Sequence, residues 1–120
     1  MKPRIAMAVA LVAVLGCDRV MALTGNEFLD WCETALSNEA SQKVTFTSGY
    51  CVGAIQATSD TIPLANASME EHRICLPPST TNKQIIRIVV KDMQEHPSNL
   101  HLNSTVLTIG ALQRAFPCQK

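Results

Sequence analysis

The sequence predicts an all-α protein, a small four-helix domain of two helical hairpins stapled by two disulfides and preceded by a signal peptide. Three observations carry this. Apolar residues recur at helical spacing in four separate stretches, residues suited to helix capping stand where two of them begin, and four cysteines remain once the N-terminal segment is set aside. Cys75 and Cys118 bracket the last two helix patterns, so the stretch from Ile74 to Cys118 reads as one closed hairpin. Two helices cannot enclose a core by themselves, and the residues before Ile74 must supply the other layer.

At 120 residues there is room for one domain, and 47% hydrophobic content is enough for one core. Net charge is zero and aromatics make up only 4% of the chain. It therefore has neither the basic excess nor the stacking side chains of a nucleic-acid binder.

The N-terminus has the three parts of a secretory signal. Lys2 and Arg4 are positive, Ile5 to Leu15 is an apolar run, and Val20-Met21-Ala22 presents small residues at cleavage spacing. Cleavage after Ala22 divides the chain into a leader, 1–22, and a single domain, 23–120. The apolar run falls short of the roughly 20 residues that cross a bilayer. Val14-Leu15-Gly16-Cys17 loosely fits a lipidation box, so a lipid on Cys17 is the one route that keeps the processed chain at a membrane.

With Cys17 in the leader, Cys32, Cys51, Cys75 and Cys118 form an even set, as two disulfides in an oxidising compartment require. No pair has the C-x-x-C spacing of structural zinc modules, and neither metal nor cofactor is expected.

Charge is divided between the halves. From Leu23 to Glu71 the single base Lys43 stands against Glu27, Asp30, Glu33, Glu39, Asp60, Glu70 and Glu71. From His72 onward Arg73, Lys83, Arg87, Lys91, Arg114 and Lys120 stand against Asp92 and Glu95. Two solvated faces that attract one another, within the fold or across a dimer, account for this; an acidic half that meets a basic partner is the sharper reading.

The first helix opens at Thr24, where T-G-N-E forms a capping box with Glu27. Phe28, Cys32, Ala35 and Leu36 then share a face, with Trp31 packing at its edge. After the polar break 37–41, a second helix is expected from about Thr47 to Ser59. Gly49 and Gly53 in it cost about 1 kcal/mol each, which a close approach by another helix would explain. Asp60 to Arg73 contains Pro63, lacks a clean period and reads as the longest loop of the domain, with Glu70, Glu71 and His72 at its tip as the first candidates for partner contact. Asn66-Ala67-Ser68 and Asn103-Ser104-Thr105 match glycosylation sequons, which matter only in a eukaryotic secretory pathway.

Thr81-Asn82-Lys83-Gln84 offers a second capping box. The β-branched run that follows could be read as a strand, but Ile85, Ile86, Val89, Val90 and Met93 share a helical face up to His96. Asp92 falls inside that arc and needs either its edge or a partner. Pro97 stops the third helix, and Val106 to Phe116 forms the fourth. His96 and His101 flank the turn between them, the second exposed connection able to touch a partner. Folding each helix pair about its turn brings Cys51 level with Cys32 and Cys118 back to Cys75, which favours these two pairs among three connectivities.

These residues resemble a known family. G-Y-C-V-G-A-I-Q at Gly49 to Gln56, I-C-L-P at Ile74 to Pro77, V-V-K-D-M-Q-E-H-P ending at Pro97, the L-H-L after it and the terminal A-L-Q-R-A-F-P-C are similar to the Tai (type VI amidase immunity) family. Asp92 departs from it, standing where a large apolar residue is expected, and Pro78-Ser79 stands where a glycine is usual. The resemblance implies a non-enzymatic periplasmic protein, commonly a homodimer, that binds and blocks a peptidoglycan amidase delivered by type VI secretion. The acidic loop at Glu70 and Glu71 would then enter a cleft built for an acidic stem peptide. A periplasmic structural or stress-response protein that binds clients or another subunit is the alternative, and it predicts exposed apolar surface. A small hydrolase would require a free thiol or a metal.

Overall fold

A computed structural model describes residues 22–37 and 44–119. The expected leader and the break between the first two helices lie outside the described residues, apart from Ala22 and Ser37 at their margins. Among the described residues four α-helices and one short turn follow in order: α1 Gly25–Ser37, α2 Phe46–Ser68, α3 Asn82–Glu95, a 3-10 turn Pro97–Asn99, and α4 Ser104–Ala115. Among the described residues extended pairing is limited to two isolated bridges, Thr24 with Asn103 and Ile74 with Pro117. The all-α expectation holds.

Each helix start has a local cause. The Thr24 amide and hydroxyl both donate to the Glu27 carboxylate, at 3.1 and 2.8 Å. Thr45 and Ser48 form a full reciprocal capping box on α2, and Thr81 and Asn103 accept backbone amides at α3 and α4. The first amides of α1 point into the α3–α4 turn: Gly25 donates to the Leu102 carbonyl at 2.9 Å and Asn26 to that of Leu100 at 3.0 Å. A side chain at position 25 would collide with Leu107 and come within 3.0 Å of the Leu100 carbonyl. Glycine lets α1 dock this closely without displacing Leu107 or the Leu100 backbone.

α1 lies along α2, and α3 along α4, with α1 also against α3. Between them Phe28, Ile55, Val89, Met93 and Leu112 are fully buried around Cys32 and Cys51. Both disulfides pair as hairpin geometry favours, Cys32 with Cys51 and Cys75 with Cys118. The first is a core element with both cysteines at 0% exposure. The second joins an exposed Cys75 to a half-buried Cys118, beside the hydrogen bond from the Cys75 amide to the Phe116 carbonyl at 2.8 Å.

Two expectations are corrected. The helix expected to stop near Ser59 continues through Pro63 to Ser68, so the long loop shrinks to Met69–Arg73. Proline removes one helical donor and normally breaks the pattern. Here Ile55 and Ile62, one heptad apart, are both buried, and the end of α2 is fastened by Asn66. Its amide group donates to the Ile74 carbonyl at 2.7 Å and accepts the Ile74 amide at 3.0 Å. Asn66, a sequon residue in the sequence, is a structural clamp. The glycines are the second correction. Among the described residues nothing lies within 4 Å of a Cβ placed on Gly49 or Gly53, so no described helix packs against them.

Candidate functional site

The acidic tip survives as a five-residue loop, and its shape is set by three contacts. Arg73 folds back so that its Nε donates to the Met69 carbonyl at 2.9 Å. Gln113 in the last turn of α4 donates to the His72 carbonyl at 2.9 Å. Asn66 holds Ile74, the residue that follows. His72 takes a positive φ of 60°, a left-handed conformation that histidine tolerates better than most side chains. Glu70, Glu71 and His72 are all exposed. With Arg73, Cys118 and Gln119 they line an open groove of about 370 Å³, so the Cys75–Cys118 disulfide stands directly beside the acidic loop.

The two histidines belong to the connection between α3 and α4. His96 Nδ1 is 2.7 Å from the Asp92 carbonyl, and His101 Nδ1 is 3.0 Å from that of Ser98. Both rings are used locally to cap the turn. The structure therefore does not bring the five expected contact residues together: Glu70, Glu71 and His72 form one site, while His96 and His101 sit apart. A second groove beside His96, about 350 Å³, is lined by Lys91, Asp92, Glu95 and Arg114 among others.

Asp92 has the partner its position demands. Arg114 reaches it in a two-pronged contact, Nε to Oδ1 at 2.8 Å and Nη2 to Oδ2 at 2.6 Å. This hydrogen bonding raises the Arg114 pKa. The guanidinium passes over Gly110, where a Cβ would lie 3.4 Å from it. Glu27 is held below its ordinary value of 4.5, first by the Thr24 amide and then by the Thr24 hydroxyl. Among the described residues no three His, Cys, Asp or Glu side chains stand together as metal ligands.

Sequence reasoning missed Gln113 and Asn66, which position the loop, and also a surface. Trp31, Phe46 and Tyr50 meet edge to face or tilted, with centroids 5.0 to 6.3 Å apart. Trp31 is half-buried, Phe46 is 80% exposed and Leu64, further along α2, is 76% exposed. The signal was present in the sequence as apolar residues sharing a face with Gly49 and Gly53.

A disulfide-braced helical scaffold that presents one fixed, charged loop is the build of a small binding module. The profile of the Rap1a immunity proteins matches residues 24–118, from the cap of α1 to the last cysteine. The chain belongs to the Rap1a immunity protein family, a type VI immunity family. This bears out the type VI immunity family that the resemblance implied. No described helix is long and apolar enough to cross a membrane. No curated protein and no solved structure matches the chain significantly.

Proposed function

We propose that the protein is a non-catalytic periplasmic immunity protein, exported by residues 1–22, that inhibits a type VI secreted peptidoglycan amidase by occluding its active site. The observation that carries this reading is the loop Met69–Arg73. It projects two carboxylates, Glu70 and Glu71, from a backbone held at Asn66, Arg73 and Gln113. A loop already in its bound shape loses little entropy on association, which is how a short segment can anchor a tight complex. Its carboxylates would occupy the subsites where the amidase holds its acidic stem peptide. The turn carrying His96 and His101 is the competing contact, and the homodimer implied by family resemblance belongs to the same reading.

The test is inhibition. Purified oxidised protein, added in equimolar amount to the type VI amidase proposed as its partner, should abolish release of stem peptides from peptidoglycan, and full amidase activity would refute the reading. The exposed apolar residues of α2 also fit the client-binding alternative, for which an unfolded client should be protected from aggregation without any amidase being inhibited.

A further inference from the structure

We infer that the Cys75–Cys118 disulfide is a reversible thiol–disulfide exchange site, opened by a dithiol and closed by oxidation, that locks the acidic loop in shape. It rests on the reading above only in naming what the loop binds. The two disulfides differ in access. Cys32 and Cys51 are sealed in the core at 0% exposure, whereas Cys75 is exposed and Cys118 half-buried. Cys118 also lines the open groove it shares with Glu70, Glu71 and His72. A dithiol can therefore reach the second bond in the folded protein, while the first needs unfolding.

The exposed bond holds the base of the loop. Arg73 to Cys75, leaving the loop, run antiparallel to Phe116 to Cys118, leaving α4, through the bridge of Ile74 with Pro117. The Cys75 amide donates to the Phe116 carbonyl at 2.8 Å, and the Cys118 amide to the Arg73 carbonyl at 3.4 Å. Gln113 adds its bond to the His72 carbonyl. This clasp is short and lies at the surface, with Arg73, Cys75 and Pro117 exposed, so water competes for its hydrogen bonds. The disulfide ties positions 43 apart in sequence, and cutting it returns to the clasp the entropy that the tie had removed.

His72 and Ile74 decide how far the opening spreads. The positive φ of His72 persists because its surroundings enforce it, and the clasp is part of those surroundings. Once the clasp loosens, Glu70 and Glu71 lose their fixed placement. Ile74 is buried at 2% exposure and stays fastened to α2 by Asn66, and the core keeps its own disulfide. Opening is local.

The chemistry needs only a dithiol. One of its thiolates attacks the exposed Cys75 sulfur, the bond to Cys118 breaks, and Cys118 leaves as a thiolate that takes up a proton. The second thiol of the reductant attacks the mixed disulfide, releasing Cys75 and closing the reductant's own disulfide. Two electrons and two protons pass from the dithiol to the cysteine pair.

The probe is dithiothreitol, added in graded amounts under native conditions and quenched with iodoacetamide. Mass spectrometry should find Cys75 and Cys118 alkylated while Cys32 and Cys51 remain joined and helical circular dichroism is unchanged. In this singly opened protein, hydrogen exchange at Met69–Arg73 should quicken roughly tenfold or more while the amides around Ile55 keep their protection. Cys75→Ser with Cys118→Ser should reproduce the faster exchange without reductant. Affinity of the opened protein for the amidase should fall roughly tenfold or more, because the loop must then be ordered on binding. Reoxidation before alkylation should restore it. Opening of both disulfides together, an opened protein whose loop exchanges at the wild-type rate, or one that binds the amidase as tightly as before would overturn the inference. An oxidised wild type that does not bind the amidase would count against the immunity mechanism alone, because alkylation and hydrogen exchange are read on the protein by itself.

Discussion

Asp92 is the residue that most needed the structure. Its carboxyl side chain is 14% exposed and that of Arg114 is 54% exposed, so one end of the pair is screened by water and the other is not. Arg114→Ala should therefore cost about 1 kcal/mol in urea denaturation, toward the low range because the guanidinium is half in solvent. Replacing both, Asp92→Leu with Arg114→Leu, should return stability to within about 0.5 kcal/mol of wild type, since no unpaired charge is left against the core. Losses that simply add would contradict this. Glu27 gives a pH signature with a definite sign. Its folded pKa is depressed by Thr24, so its contribution is fully present above the ordinary value of 4.5 and is lost as pH falls below it. Glu27→Gln should flatten that part of the stability profile between neutral and acid pH. The capping pairs were legible because their partners lie three residues apart, whereas Arg114 is 22 residues from Asp92 and nothing local points to it.

At the scale of elements, α2 separates what periodicity can tell from what it cannot. Pro63 reads as a stop because the backbone rule is local. The helix continues because Ile62 packs inward and Asn66 locks the far end, both of them long-range facts. The turn before Pro63 also sends its hydroxyls back to the helix, Thr58 to the Ala54 carbonyl at 2.8 Å and Ser59 to the Ile55 carbonyl at 2.9 Å, a pattern that accommodates bending. Asn66→Ala removes both bonds to Ile74 and should cost about 2 kcal/mol. Hydrogen exchange should then quicken in Met69–Arg73 and at Ile74 while the amides around Ile55 keep their protection. Unaltered exchange in the loop would show that Arg73 and Gln113 hold it without Asn66. The glycines misled for the same reason as the proline: small residues suggest a close approach locally, but whether a helix packs on them is a long-range fact, and among the described residues none does.

Over the whole molecule, the four-helix plan and both cysteine pairs could be read from the sequence because hairpins bring distant residues together in a predictable way. The site could be read only in part. Glu70, Glu71 and His72 are where the acidic tip was expected, but the loop is far shorter, and His96 and His101 belong to the separate connection between α3 and α4. The disulfides also differ in a way spacing does not reveal. Loop entropy assigns each about 3 to 4 kcal/mol, yet one is sealed in the core and the other borders the acidic loop. Under mild reduction, mass spectrometry should find thiols at Cys75 and Cys118 before any at Cys32 and Cys51, because thiolate attack needs access. Simultaneous opening would mean that the core disulfide is reached by unfolding.

The central claim is that the acidic loop enters the amidase. It is tested most directly by calorimetric titration of the amidase with wild-type protein, with Glu70→Ala/Glu71→Ala and with His96→Ala/His101→Ala. The account predicts that the glutamate pair weakens binding by about 30-fold or more, the scale of an interface anchor, while the histidine pair leaves it near wild type. Unchanged affinity in the glutamate variant, or a loss confined to the histidine variant, would contradict it.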